Sequence, residues 1–311
     1  MTKPIMVGNV NWRDTLMVLD GAYSDNTLRG YRADMDAFEK WGASTGVAVL
    51  PATPEAVAAF VTDQARMCSS ATIKRRLAAI RKIHALLHLE NPLTDEAVVI
   101  ALRRIRRSKR ERPRQALGLT KDIRDRLIAA CTETLPGLRD RAMITLVYDT
   151  LCRRSELVGL KAEDLLRTPD GAAQILVRRS KNDPYGAGRL AYVSNRTLKQ
   201  VDQWLAAAKI EVGPIVRAIG TDGKVRRDAL HPYSVTRILK QVATSAGLPP
   251  KTVANLSGHS MRVGAAQDMI AAGLGLLPIM QAGGWRTTNV VARYVENANL
   301  SALMRGFRTD T

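Results

Sequence analysis

Apolar residues recur at helical spacing through the first third of the chain. From Ser24 to Trp41 they fall at Leu28, Tyr31, Met35 and Phe38, three or four apart, so one helix face is apolar and the other polar. Thr53-Pro54-Glu55 has the form of a helix start, with proline at the first helical position, and Ala56 to Met67 fits one helix. Ser70 stands where it caps the next, ATIKRRLAAIRKIHALLH. There Ile73, Leu77, Ile80 and Ile83 share a face, and Lys74, Arg75, Arg81 and Lys82 lie mostly off it. Asp95 opens a further helix, EAVVIALRRIRR. The period then stops. SKRERPRQ has no apolar rhythm and contains Pro113, which predicts an exposed basic linker over 106–118 between a helical domain, 1–105, and a second domain, 119–311. Taken alone, the stretch reads equally as a solvated surface loop.

Beyond Thr120 the pattern is mixed. Helices are expected over Lys121–Glu133 and Leu138–Leu151. ILVRRS (Ile175–Ser180) and RLAYVS (Arg189–Ser194) read as strands around the polar turn KNDPYGAG, a hairpin. Asn195 caps a helix running to Ala208, and the remainder is helical. The pattern predicts a mainly α chain with a small antiparallel β-sheet: a helical N-terminal domain followed by an α+β domain.

Charge narrows the partner. Lys and Arg number 47 against 29 Asp and Glu, a net +18 over 311 residues, which argues for a polyanion. An anionic membrane competes. However, no long uncharged apolar run or lipidation motif is present, and MTKPIMVGNVNWRD lacks the apolar core of a secretory signal. Cys68, Cys131 and Cys152 are scattered without metal spacing and read as reduced intracellular thiols. His84 and His88, four apart, suggest a metal pair. No third ligand is evident, and the residues between them are apolar. No metal, cofactor or nucleotide is expected: there is no Asp/Glu cluster suited to Mg²⁺ and no Walker loop.

Four short segments carry candidate chemistry, each with a bland reading of its own. Arg153-Arg154-Ser155-Glu156 follows an apolar helix, and Arg153 and Glu156, three apart, would share a helical face. Arginine suits bidentate phosphate binding, and a carboxylate can hold it in place, although such a pair alone is an ordinary surface ion pair. Lys181, at the hairpin mouth, can reach a ligand and donate a proton; alone it is a solvated turn residue. Ser257-Gly258-His259-Ser260-Met261-Arg262 places His259 and Arg262 at a helix start that favours an anion, or is a capping segment with an incidental histidine. Trp285 precedes Tyr294 by nine residues, and Thr287 or Thr288 can cap a short helix carrying that tyrosine; alone it is a core or rim aromatic. Together these residues supply a cationic clamp, a proton donor and an oxygen nucleophile, the set that metal-free phosphoryl transfer requires.

The order of these segments, with SGHSMRVGAAQDM and IMQAGGW above all and TLCRRSEL and RRIRRSKR more weakly, resembles the tyrosine recombinase (phage integrase) family. The resemblance spans both expected domains. It implies a C-shaped clamp on DNA formed by a helical core-binding domain and a catalytic domain. It implies Tyr294 as the nucleophile that leaves a 3′-phosphotyrosine and a free 5′-hydroxyl. Arg153 and Arg262 would grip the phosphate, with His259 and Trp285 completing the clamp. Lys181 would protonate the leaving oxygen, and Glu156 would support the pocket. Partners implied are double-stranded DNA with inverted repeats and further copies of the chain: a dimer per site, a tetramer at synapsis, and strand exchange through a Holliday junction. The tail after Tyr294 is amphipathic around Leu300, Leu303 and Met304, and by resemblance it docks into a neighbouring protomer; packing against its own chain is the alternative.

Base reading is expected from the helix near Tyr233–Ala246, with Arg237, Lys240 and Gln241. In the first third the candidates are Arg29, Arg32, Thr72, Lys74, Arg75 and Arg76. Many of these basic residues serve equally as non-specific phosphate contacts. Two other readings stay open: a monomeric type IB topoisomerase with similar covalent chemistry, and a non-catalytic helix-turn-helix regulator, which would leave the placement of Tyr294 unexplained.

Overall fold

A computed structural model describes residues 11–109, 115–178 and 187–295. The chain divides into two compact units, Met1–Pro113 and Arg114–Thr311.

Among its described residues the first unit has five α-helices, α1 (Trp12–Met17), α2 (Asp25–Thr45), α3 (Pro54–Gln64), α4 (Ser70–Leu86) and α5 (Glu96–Ser108), and a 3-10 turn at Pro92–Thr94. Ser24, Thr53 and Asp95 cap α2, α3 and α5, each side chain accepting a backbone N–H of the first turn. At α4 the cap is Ser69, not Ser70: Ser69 is extended and accepts from the Thr72 N–H, and Ser70 is already helical. The apolar stripes meet as α2 packs on α4 and α3 on α5. Phe38 and Trp41 from α2 close on Phe60 of α3, with ring centroids 4.7 and 5.4 Å apart. α3 stops at Gln64, three residues short of the expected Met67. α5 continues through Ser108, so Arg106 and Arg107 are helical rather than linker; buried Ile105 holds that last turn to the core. Residues 110–114 lie outside the described residues.

His84 is buried in this core. Its Nε2 accepts the Ala52 N–H at 3.0 Å, and its Nδ1 lies 2.9 Å from the Ile80 carbonyl, so both ring nitrogens are engaged in packing rather than metal binding.

The second unit is built around α7 (Leu135–Thr150), which buries residues on every side. It starts earlier than expected because Thr134 and Pro136 form its N-terminus, and α6 (Lys121–Ala130) is correspondingly shorter. After the single turn α8 (Arg154–Leu157) comes a three-stranded antiparallel sheet: β1 (Leu165–Arg167), β2 (Ala173–Val177) and β3 (Arg189–Val193), in that order. Ile175, Val177, Ala191 and Val193 face the core, and Leu190 and Tyr192 face out. Val177 pairs with Arg189 at the mouth of the β2–β3 hairpin; its tip, 179–186, with Lys181, lies outside the described residues.

α9 (Asn195–Ala207) lies along α7. A second hairpin follows, β4 (Arg217–Ile219) and β5 (Val225–Ala229), which the pattern did not predict because β4 is only three residues long and β5 is mostly exposed and lacks alternation. The remaining helices are α10 (Pro232–Ser245), α11 (Pro250–Asn255), α12 (Ser260–Ala271), α13 (Leu276–Gly283) and α14 (Thr288–Val295). The described part is thus mainly helical with small antiparallel sheets.

Candidate active site

Four chain segments of the second unit converge beside the end of α7. The helix is broken there by Leu151, whose φ of 49° is unusual for a branched residue and turns the chain back. Arg153 therefore does not share a helical face with Glu156 as expected. It is the N-cap of α8: its own N–H donates to Glu156 Oε2 at 2.9 Å, and its Nη1 donates to Oε1 at 2.6 Å. Glu156 is buried, so the pair is fixed rather than solvated.

The second segment brings Arg262 to the same carboxylate. In SGHSMR, Ser260 Oγ accepts the Ser257 N–H and Ser257 Oγ accepts the His259 N–H, which shapes the turn into α12. The backbone of Leu119 crosses α12 at Gly264. A Cβ there would stand 1.9 Å from the Leu119 carbonyl oxygen, so only glycine permits the approach, and the Leu119 N–H bonds to the Ser260 carbonyl. Arg262, 1% exposed, donates from Nη1 to the Leu151 carbonyl at 2.6 Å and from Nη2 to that of Gly283 at 2.5 Å. Its Nη1 lies 3.9 Å from Glu156 Oε2.

The third segment is Gly283-Gly284-Trp285. The Trp285 ring lies against Gly283, where a Cβ would come within 2.3 Å of it, and Gly284 takes φ 61° to turn the chain. The Arg262 guanidinium stands 4.4 Å from the centre of the Trp285 ring. Tyr294, on α14, meets the same ring at 5.5 Å edge-on, and its carbonyl is held by Gln267 Nε2. Trp285 thus links the buried guanidinium to the tyrosine.

Burial first, then repulsion from Arg153, push the Arg262 pKa down to about 10, with Glu156 and Tyr294 opposing; it stays a cation at neutral pH. The exposed His259 imidazole is lowered by partial desolvation and then by Arg262, Arg153 and Arg154, which favours its neutral form.

Sequence reasoning missed Arg189. It begins β3, and its Nη1 donates to the Ala282 carbonyl at 2.7 Å, its Nη2 to that of Thr150 at 2.8 Å. Arg262 takes the next carbonyl along in each case. The two guanidiniums therefore straddle the same two chain ends side by side, both 3.9 Å from Glu156 Oε2. A basic residue directly after the hairpin turn was the available signal.

The expected base readers divide by environment. Arg237 and Gln241 are exposed, one turn apart on α10. Lys240 donates from Nζ to the Ala254 carbonyl of α11 at 2.9 Å. In the first unit Arg29, Arg32 and Lys74 are exposed, with Arg29 bonded to Asn26 at 2.5 Å; Thr72 pairs with the Ser69 cap. Arg75 is held bidentately at 2.8 Å by buried Asp34, and Arg76 is half-buried 3.8 Å from it.

Comparison with known proteins matches both units. The phage integrase family model covers residues 118–300, and that of the phage integrase N-terminal SAM-like domain covers 12–91. The chain is 33% identical over 298 residues to the integrase/recombinase xerD homolog of Selenomonas ruminantium, across 91% of this chain and 84% of that protein. It is 28% identical over 293 residues to the recombinase cre of Escherichia phage P1, across 89% and 85%. Solved structures share the fold. A XerH site-specific recombinase in a post-cleavage complex with a palindromic difH substrate has a TM-score of 0.66 at 13% identity, over 91% and 80% of the two chains. A lambda integrase tetramer bound to a Holliday junction has 0.63 at 15%, over 93% and 77%. The chain belongs to the phage integrase family, the tyrosine recombinases.

Proposed function

We propose that this recombinase cuts and rejoins duplex DNA through Tyr294. The observation that carries the reading is the contact of one indole with both Tyr294 and the buried Arg262, which puts a phenol beside cations fixed around Glu156.

The Tyr294 oxygen attacks the scissile phosphorus. The bond from phosphorus to the 5′-oxygen breaks, leaving a 3′-phosphotyrosine and a free 5′-hydroxyl. Neutral His259 accepts the phenol proton, and Lys181 returns one to the leaving oxygen. Arg153 and Arg262 hold the non-bridging oxygens, and the preset Glu156 contact spares them reorganisation as charge develops. The ester keeps the bond energy, so rejoining is the same step reversed on a new 5′-hydroxyl.

Assembly follows the relatives. Two protomers bind inverted repeats around a short spacer, and two such sites form a tetramer that passes through a Holliday junction, the assembly in which the lambda integrase was seen. The tail from 296, outside the described residues, is the segment that would reach a neighbouring protomer. The net charge of +18 suits association with DNA, and a bacterial cytoplasm is where phage, plasmid and chromosomal targets lie.

The test is trapping. Protein and duplex fragments of its source replicon are mixed with EDTA and quenched in detergent. An adduct at Tyr294 on one inverted-repeat site is expected, with binding but no adduct for Tyr294→Phe. An adduct formed by Tyr294→Phe sinks the assignment. An adduct on every sequence favours the topoisomerase reading, and loss of reaction in EDTA reveals a metal requirement.

A further inference from the structure

Beside the site stands a group that the scheme above does not use. Arg154, the residue after Arg153, lays its guanidinium over the ring of Tyr233, 4.4 Å from its centre. At the N-cap of α10 the imidazole of His231 stacks near-parallel on the same tyrosine, centroids 5.4 Å apart at 20°. Tyr233 is 58% exposed. Gly258 closes the patch: a Cβ there would meet Arg154 Cδ at 3.1 Å and Thr236 Oγ1 at 3.3 Å. That Thr236 hydroxyl is buried without a hydrogen-bond partner.

The arrangement is uneconomical unless an anion completes it. Arg154 adds a cation where Arg153 and Arg262 already stand, and its charge is among those that disfavour protonated His259. Among the described residues no carboxylate lies within ion-pair distance of Arg154, whereas Arg153, Arg189 and Arg262 all face Glu156. Stacking covers one face of a guanidinium and leaves its in-plane N–H groups for a planar fork of acceptors, which a phosphate provides. It also fixes the side chain before binding, so little rotamer freedom remains to be lost.

We propose that Arg154, held on Tyr233 and His231, binds a backbone phosphate of the DNA next to the scissile one, a contact distinct from the Arg153–Arg262 clamp. This rests on the recombinase reading, since it needs DNA at the pocket. Arg154 then fixes the register of the strand over the clamp, and Arg237 and Gln241 continue the exposed face of α10 away from it.

The experiment measures binding alone, on a duplex enriched from random sequence by affinity for the intact protein, so it does not depend on cleavage. Phosphates are neutralised one at a time as methylphosphonates. The wild-type chain is expected to lose affinity at several positions. Arg154→Ala binds roughly ten- to hundredfold more weakly, its salt slope falls by about one ion, and it becomes insensitive at one non-scissile phosphate only. Tyr233→Ala gives part of this loss, and Tyr233→Phe keeps the wild-type pattern. Melting temperatures of all variants report folding, and Arg154→Lys retains the charge if alanine is poorly tolerated. An Arg154→Ala profile that matches wild type at every phosphate, or an unchanged salt slope, overturns the proposal. Failure of the recombinase reading is seen separately, as binding without any Tyr294 adduct.

Discussion

Arg189→Ala tests whether the paired guanidiniums set the geometry of the site. The substitution removes two donors to main-chain carbonyls, at 2.7 and 2.8 Å. A hydrogen bond from a charged donor contributes about 1.5–3 kcal/mol, so the pair is worth about 3–6 kcal/mol at most. Two effects reduce this. The side chain is 16% exposed, so water re-solvates part of what is lost. Removing Arg189 also relieves its repulsion of Arg262. A net loss of about 2–3 kcal/mol follows, which for a unit this size lowers the melting temperature by roughly 5–10 °C. The larger effect falls on chemistry. Arg262 then holds the end of α7 to the end of α13 by itself, and the Gly284–Trp285 turn that positions Tyr294 loosens; a shift of about 1 Å costs on the order of 10²-fold. The assay pairs thermal melting with single-turnover adduct formation at saturating DNA. Adduct formation slowed about a hundredfold, with DNA affinity within about threefold of wild type, is the expected result, and Arg189→Lys recovers part of the rate by keeping one carbonyl. If Arg189→Ala melts lower yet forms adduct at the wild-type rate, the paired arginines stabilise the fold and do nothing for the site.

Gly264→Ala forces Leu119 away from α12 by about 1.5 Å, from 1.9 Å to the 3.4 Å of ordinary contact; about 1–3 kcal/mol is lost, and a wild-type melting curve would show that the close approach is not rigid. Glu156→Gln removes the buried anion facing Arg153, Arg189 and Arg262 and should cost roughly 3–5 kcal/mol, read by urea unfolding; an unchanged midpoint would mean the cations need no compensation. His84 carries a pKa lowered by burial. The unfolded chain therefore binds more protons near and below pH 6.5, and the stability of the first unit, full above that pH, falls as pH drops, by up to about 1.4 kcal/mol per pH unit. His84→Gln, which can still accept the Ala52 N–H, should flatten that slope; a slope unchanged in this variant would assign it to other groups.

The parts of this site legible in the sequence are those whose partners are side chains of distinctive chemistry. Arg153 and Glu156, SGHSMR, Trp285 and Tyr294 meet in the structure, and the glycines around them have steric reasons: Gly264 admits a crossing backbone, and Gly283 admits an indole. The helical stripes of the first unit were legible for the same reason, since periodic apolar residues have one face to bury. What the sequence hid is geometry that runs through the main chain. Arg189 looked like a strand residue because its partners are two carbonyls, 93 and 39 positions away, and a carbonyl leaves no mark in a sequence. The contact of Lys240 with the Ala254 carbonyl was hidden in the same way. Spacing misled at Arg153 and Glu156: a helical face was inferred from a three-residue interval, but Leu151 breaks the helix first and a capping pair spans the same interval. The β4–β5 hairpin escaped because RAI is too short to show an alternation and VRRDA, beyond Val225, is exposed. These misses share a cause with a functional consequence. The residues proposed to form the clamp can be recognised singly, but their relative placement is set by arginines reading the backbone at 150–151 and 282–283. Conservative exchanges at 150, 151 and 282 that keep the backbone path should leave the site intact, because it is the carbonyls and not the side chains that Arg189 and Arg262 hold; at 283 the carbonyl is held in the same way, but a Cβ would meet the Trp285 ring, so glycine is required there as well.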